Sequence, residues 1–104
     1  MPTGHENHYI SLAEAADMTA RYRSTITPGT KIAGFFGRDA IQEILDQDGC
    51  VGIRYYYGLN SDQKPVLILV GVTADNDDLY QGKLAEMSLP CPDYCATDNP
   101  LNKE

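Results

Sequence analysis

Apolar and polar positions alternate most clearly in the middle of the chain. Residues 50–58 read Cys-Val-Gly-Ile-Arg-Tyr-Tyr-Tyr-Gly, and residues 65–73 read Pro-Val-Leu-Ile-Leu-Val-Gly-Val-Thr, with a polar loop between them. Two such runs around a short loop predict an antiparallel β-hairpin, about 50–58 and 65–73. Pairing Leu59 with Lys64 around a four-residue loop sets Tyr57 opposite Val66, Tyr55 opposite Ile68, Ile53 opposite Val70 and Val51 opposite Val72. That register gathers eight apolar or aromatic side chains on one face. The other face then holds Cys50, Gly52, Arg54 and Tyr56 with Leu67, Leu69, Gly71 and Thr73, and Gly52 faces Gly71 across a shallow groove.

Helical spacing frames the hairpin on its N-terminal side. Ser11 with Glu14 three residues on is a capping box, and Leu12, Ala15, Ala16, Thr19 and Tyr22 follow as a stripe that ends before Pro28-Gly29. The stripe is rich in alanine, so this helix leans on a larger partner. A second helix is predicted over 38–47: Gly37 caps it, Phe36 and Ile41 have the spacing of a hydrophobic staple, and Ile41, Ile44 and Leu45 form its apolar stripe. Residues 31–36 read as a short strand or an extended linker, and 84–89 as a short strand or a helical turn. The expected fold class is α+β: two helices packed on a small antiparallel sheet built around the hairpin. Residues 1–9 are expected to form a flexible arm, 10–95 a single domain, and 96–104 a flexible tail.

Composition narrows the function classes. At 104 residues the chain has room for one core. Its longest apolar run, 66–72, is too short to span a bilayer, and the N-terminus lacks a basic start with an apolar stretch behind it, so a cytoplasmic, membrane-free setting is expected. The net charge is −7, of which −2 lies before residue 75 and −5 from Asp75 onward. An acidic C-terminal third without a basic stripe elsewhere argues against nucleic acid as a partner.

Candidate chemistry is sparse. Cys91 and Cys95 are four apart and, with Cys50 and an arm histidine (His5 or His8), form a possible tetrahedral zinc set. The structural alternative is that Cys50 is a buried residue at the start of a strand and the other two pack under a C-terminal loop. Three cysteines, an odd number, argue against a disulfide framework, and a cross-linked Cys91–Cys95 loop is expected only in an oxidising environment. The run Asp75-Asn76-Asp77-Asp78 lacks the glycine and glutamate offsets of a calcium loop and reads as a solvated turn. No catalytic constellation is present, so an enzyme is not expected. Arg54, near Leu67 and Leu69 in the proposed register, calls for a carboxylate partner or an anionic small-molecule ligand. Leu67 and Leu69, with Arg54 and Tyr56 beside them, mark a surface that either the first helix or a second copy of the chain should cover, which makes a homo-oligomer the expected partner.

Taken together, the hairpin with its Gly-Cys-Val-Gly-Ile-Arg-Tyr-Tyr-Tyr-Gly-Leu segment (49–59), the Leu-Val-Gly-Val run at 69–72 and the C-terminal Cys-Pro-Asp-Tyr-Cys segment resemble a family of small uncharacterised bacterial proteins. The resemblance implies a bacterial cytoplasmic origin and no particular activity. The family pattern is expected to carry a second proline where this chain has Asp93.

Overall fold

The structure, a computed structural model, describes residues 1–86 and 89–103. Along the chain the elements are α1 (Leu12–Arg23), β1 (Ala33–Phe35), α2 (Arg38–Leu45), β2 (Cys50–Leu59), β3 (Pro65–Thr73), β4 (Leu84–Ala85) and β5 (Leu89–Cys91). The fold class is α+β. Strands β2-β3-β4 form one antiparallel sheet and β1-β5 a second, two-stranded one. The chain divides into two compact units, Met1–Glu6 with Phe35–Ser88, and Asn7–Gly34 with Leu89–Glu104. Among the described residues no helix is long and apolar enough to cross a membrane.

The first unit is the hairpin unit. Its sheet has β3 in the centre, and α2 packs against β2 and β3. Ile44, on α2, is only 1% exposed, the most buried large side chain among the described residues, with Val70 and Val72 of β3 close behind. The helix has eight residues, fewer than an isolated helix needs in water, so this packing is what holds it. Gly37 caps its N-terminus without a side-chain bond, and Asp46 closes its C-terminus two residues short of the expected end.

The hairpin register differs from the expected one by a single residue. Leu59 pairs with Pro65, Tyr57 with Leu67, Tyr56 with Ile68, Tyr55 with Leu69, Arg54 with Val70, Ile53 with Gly71 and Gly52 with Val72. The turn explains the slip. It runs over residues 60–64: the Asn60 carbonyl accepts from Gln63 N–H, Asn60 N–H donates to the Lys64 carbonyl, and the Asn60 side chain accepts from the N–H groups of Asp62 and Lys64. Gln63 takes a left-handed backbone with φ of 62°. One more residue in the loop changes the parity of every pair behind it. An irregularity between Cys50 and Gly52 then absorbs one residue, so that Cys50 pairs with Thr73.

The consequence is a new division of the two faces. Face one carries Ile53, Tyr55, Tyr57 and Leu59 with Leu67, Leu69 and Gly71. Face two carries Gly52, Arg54, Tyr56 and Gly58 with Val66, Ile68, Val70 and Val72. Leu67 and Leu69 therefore do not share a face with Arg54 and Tyr56, and Gly52 does not face Gly71.

The C-terminal end of α2 is locked to the sheet by Gln47. Its amide nitrogen donates to the Ile44 carbonyl at 2.8 Å, and its amide oxygen accepts from Lys83 N–H at 2.8 Å. Two glycines make room for this side chain. A Cβ at Gly71 would lie 3.0 Å from the Gln47 amide nitrogen and 2.9 Å from the Cys50 sulfur, and one at Gly82 would lie 2.0 Å from the Gln47 oxygen. Gln47→Ala is expected to expose α2 to fraying: it removes two hydrogen bonds of about 1 kcal/mol each, and hydrogen exchange of the α2 amides should speed up selectively. An unchanged exchange pattern would show that the clamp contributes nothing.

The second unit is built on α1. Ser11 accepts from Glu14 N–H while the Glu14 side chain accepts from Ser11 N–H, so the expected capping box is present. The Ser11 backbone N–H, and after it the Ser11 hydroxyl, favour the Glu14 carboxylate and hold its pKa below the ordinary value. Ile32 N–H donates to the Cys91 carbonyl at 2.7 Å beside the β1-β5 pairing, and the Lys31 ammonium donates to the Pro92 carbonyl. Leu84 and Ala85 form a strand, as one of the two expectations for 84–89 had it, while Met87 and Ser88 lie outside the described residues.

Candidate functional site

Each expected site residue now has a place. On face two, Arg54 reaches Asp78: Nη1 donates to the carboxylate at 2.5 Å, and Nη2 donates to the Asn76 side-chain oxygen at 2.5 Å. The Tyr56 hydroxyl donates to the other carboxylate oxygen of Asp78. Asp78 can meet them because the chain after β3 folds back on its end. Leu79 N–H donates to the Gly71 carbonyl, Thr73 N–H donates to the Asp77 carbonyl, and Asp78 bridges to Val72. The Thr73 hydroxyl organises the turn by accepting from the N–H groups of Asp75 and Asp77, with Asn76 in a left-handed backbone (φ 69°).

The electrostatics of this cluster are those of a satisfied ion pair. The Tyr56 hydroxyl and then the Arg54 guanidinium hold the Asp78 carboxyl below the usual carboxylate range, and Asp78 in turn raises both Tyr56 and Arg54. Arg54 thus has the carboxylate partner that its position demanded. A carboxyl with a depressed folded-state pKa adds stability above its unfolded value of about 3.9, and that stability is lost as pH falls through the folded value. Wild type should therefore lose urea resistance as pH falls below about 4, with Glu6 and Glu14 contributing beside Asp78, and Asp78→Asn should lessen that loss while weakening the protein at neutral pH. An acid limb of equal slope in Asp78→Asn would place the titrating group elsewhere.

In the structure Cys91 and Cys95 pair with each other in a disulfide, with Cα atoms 4.6 Å apart, and Cys50 is not part of that pair. Cys50 is free in the other unit, its thiol donating to the Gly52 carbonyl. An odd cysteine count forbids complete pairing but not a single bridge, and the turn that brings Tyr94 N–H to the Pro90 carbonyl closes this one. A disulfide sulfur is not the thiolate that zinc requires. His5 and His8 are both exposed, and among the described residues no group of three or more His, Cys, Asp or Glu side chains is placed to hold a metal ion. Thiol titration of the denatured, unreduced protein is expected to find one group, Cys50, and three after reduction; three before reduction would contradict the bridge.

Within the hairpin unit the exposed part of face one stands out. Tyr57 is 82% exposed, Leu59 63%, Tyr55 55% and Leu67 37%, and the rings of Tyr55 and Tyr57 meet edge to face at 5.6 Å. Leu69, further along the same face, is buried. Alternation groups Tyr55 and Tyr57 with Ile53 on one face, but the exposed patch they form with Leu59 and Leu67 depends on the register, which the turn sets.

In the second unit, Met18, Thr19, Tyr22, Arg23, Ile32 and Leu101 line an open, mostly apolar cavity of about 250 Å³. Arg23, its one charge, is turned to the Leu101 carbonyl at 2.6 Å. Comparison with protein-family models, with curated proteins and with solved structures gave no match.

Proposed function

We propose that the protein is a non-enzymatic interaction protein that associates with a second copy of itself through Tyr55, Tyr57, Leu59 and Leu67. The observation that carries this reading is their shared face, one end of which is left open to water. Contiguous exposed aromatic and aliphatic side chains favour a partner over solvent, and tyrosine is enriched where such partners bind. The reading keeps the expected self-association but moves its surface: Leu69 is already buried, and Arg54 and Tyr56 lie on the opposite face.

An anion carrier built on Arg54 fits less well, because a ligand would have to displace Asp78 and Asn76 from the guanidinium. A zinc protein would need Cys91 and Cys95 reduced before they could act as ligands.

The test is a pair of charge substitutions. Tyr57→Lys is expected to weaken self-association at least about tenfold, equivalent to about 1.4 kcal/mol for a side chain central to the contact. Tyr9→Lys, at a tyrosine that is 95% exposed in the other unit, should leave it unchanged. Equal effects of the two substitutions in light scattering would remove face one from the account.

A further inference from the structure

We infer that the second copy docks by its own β2, antiparallel and edge to edge about a twofold axis at Tyr56, joining two three-stranded sheets into one of six strands. This rests on the self-association reading above and adds its geometry. β2 is an outer strand of its sheet, ten residues long, and among the described residues its outer edge is paired with no other strand. Proteins normally protect such an edge with lysine, proline or an inward charge. β2 has no lysine, no proline and no acidic residue, and the one irregularity lies at its beginning, between Cys50 and Gly52. The arm meets β2 at its beginning, where Gly4 lies against the Val51 carbonyl. From Tyr55 to Leu59 the strand is largely exposed.

Charge favours a second copy of this strand over an unrelated acidic surface of the same chain. The chain carries −7 overall, yet the sole charge on β2 is Arg54, and Asp78 already neutralises it. Two β2 strands can therefore meet without the repulsion that the acidic C-terminal third would bring. The register follows from the same charge. An axis at Arg54 would oppose two guanidinium groups, which is unfavourable. An axis at Tyr56 sets Arg54 opposite Gly58 of the second copy, Tyr55 opposite its Tyr57, and Ile53 opposite its Leu59, so aromatic meets aromatic and aliphatic meets aliphatic. In that arrangement the exposed patches of face one become continuous across the joint.

Area supports an edge rather than a face contact. Even if a face contact buried them completely, the exposed parts of Tyr55, Tyr57, Leu59 and Leu67 in two copies come to on the order of 1,000 Å², the lower limit for a stable interface. Main-chain hydrogen bonds along the open edge add affinity without needing more side-chain area.

The experiment uses the oxidised 104-residue chain. A mixture of isotopically labelled and unlabelled chains is examined for backbone contacts between copies by filtered NOE spectroscopy. Residue-resolved hydrogen exchange is followed in parallel from dilute to concentrated solution. The expected result is contact between Tyr55 of one copy and Tyr57 of the other, with the β2 amides that do not bond to β3 slowing at least about tenfold as the dimer forms. A dimer whose outward β2 amides exchange at the monomer rate, with side-chain contacts alone, would overturn edge pairing but leave self-association standing. Edge contacts centred on another residue would overturn the proposed axis. A chain that remains monomeric at every concentration would overturn both readings.

Discussion

Replacing Ile44 by alanine is expected to cost about 2–5 kcal/mol, enough to unfold much of the population of a domain this size. The reason lies in how α2 is held. Eight residues are too few to form a helix without tertiary support, its N-cap has no side-chain bond, and its other apolar residues, Ile41 and Leu45, are half-buried and exposed. Ile44, 1% exposed, is the anchor that fixes the helix to β2 and β3. Truncation leaves a cavity in a close-packed site, adding to the lost transfer energy. Urea unfolding should show the midpoint falling with the slope preserved. A loss below about 1 kcal/mol would mean that the helix is held by something other than this residue.

Gly71→Ala is the second large effect, and its value lies in the comparison with Gly52→Ala. At Gly71 a methyl group would meet the Cys50 sulfur at 2.9 Å, the Gln47 nitrogen at 3.0 Å and a Leu79 methyl at 3.2 Å, in the buried centre of the sheet. Overfilling such a site costs about 1–3 kcal/mol, and pushing Gln47 aside also breaks its bonds to Ile44 and Lys83. At Gly52 a methyl group would meet nothing within 4 Å, so alanine there should be neutral within about 0.5 kcal/mol. Had the two glycines faced one another, as alternation alone suggested, the two substitutions would behave alike. Thermal unfolding of the pair therefore reads the register directly: equal shifts in Tm would contradict it, while a drop of several degrees for Gly71→Ala alone agrees with it.

That register marks where the sequence stopped being informative. The helices were legible because their signals are local: Ser11 with Glu14 for α1, Gly37 and the Ile41, Ile44, Leu45 stripe for α2. The hairpin was legible as a hairpin for the same reason. Its parity was not. β3 is apolar at every position from Val66 to Val70, so its pattern fits either face, and the decision passed to the turn. The turn chose through Asn60, whose side chain bonds the N–H groups of Asp62 and Lys64, and through Gln63 in a left-handed conformation, which residue type alone does not announce.

The site was legible in the same uneven way. That Arg54 needed a carboxylate followed from its charge and its place on a strand. That Asp78 would supply it did not, because the acidic run 75–78 has the composition of a solvated turn, and only the Val72–Asp78 bridge turns it back toward the sheet. The Cys91–Cys95 bridge was legible only as a possibility for an oxidising environment, because the odd cysteine count argues against a framework. The one-residue change of register sets Tyr57 opposite Leu67 and Tyr55 opposite Leu69, in place of Val66 and Ile68, and the proposed interface moved with them.

The account stands most directly on the association state of the untagged wild-type chain. Sedimentation equilibrium over a range of micromolar concentrations is expected to show the mass rising from the 11.4 kDa monomer toward twice that value. A mass that stays at 11.4 kDa throughout would contradict it.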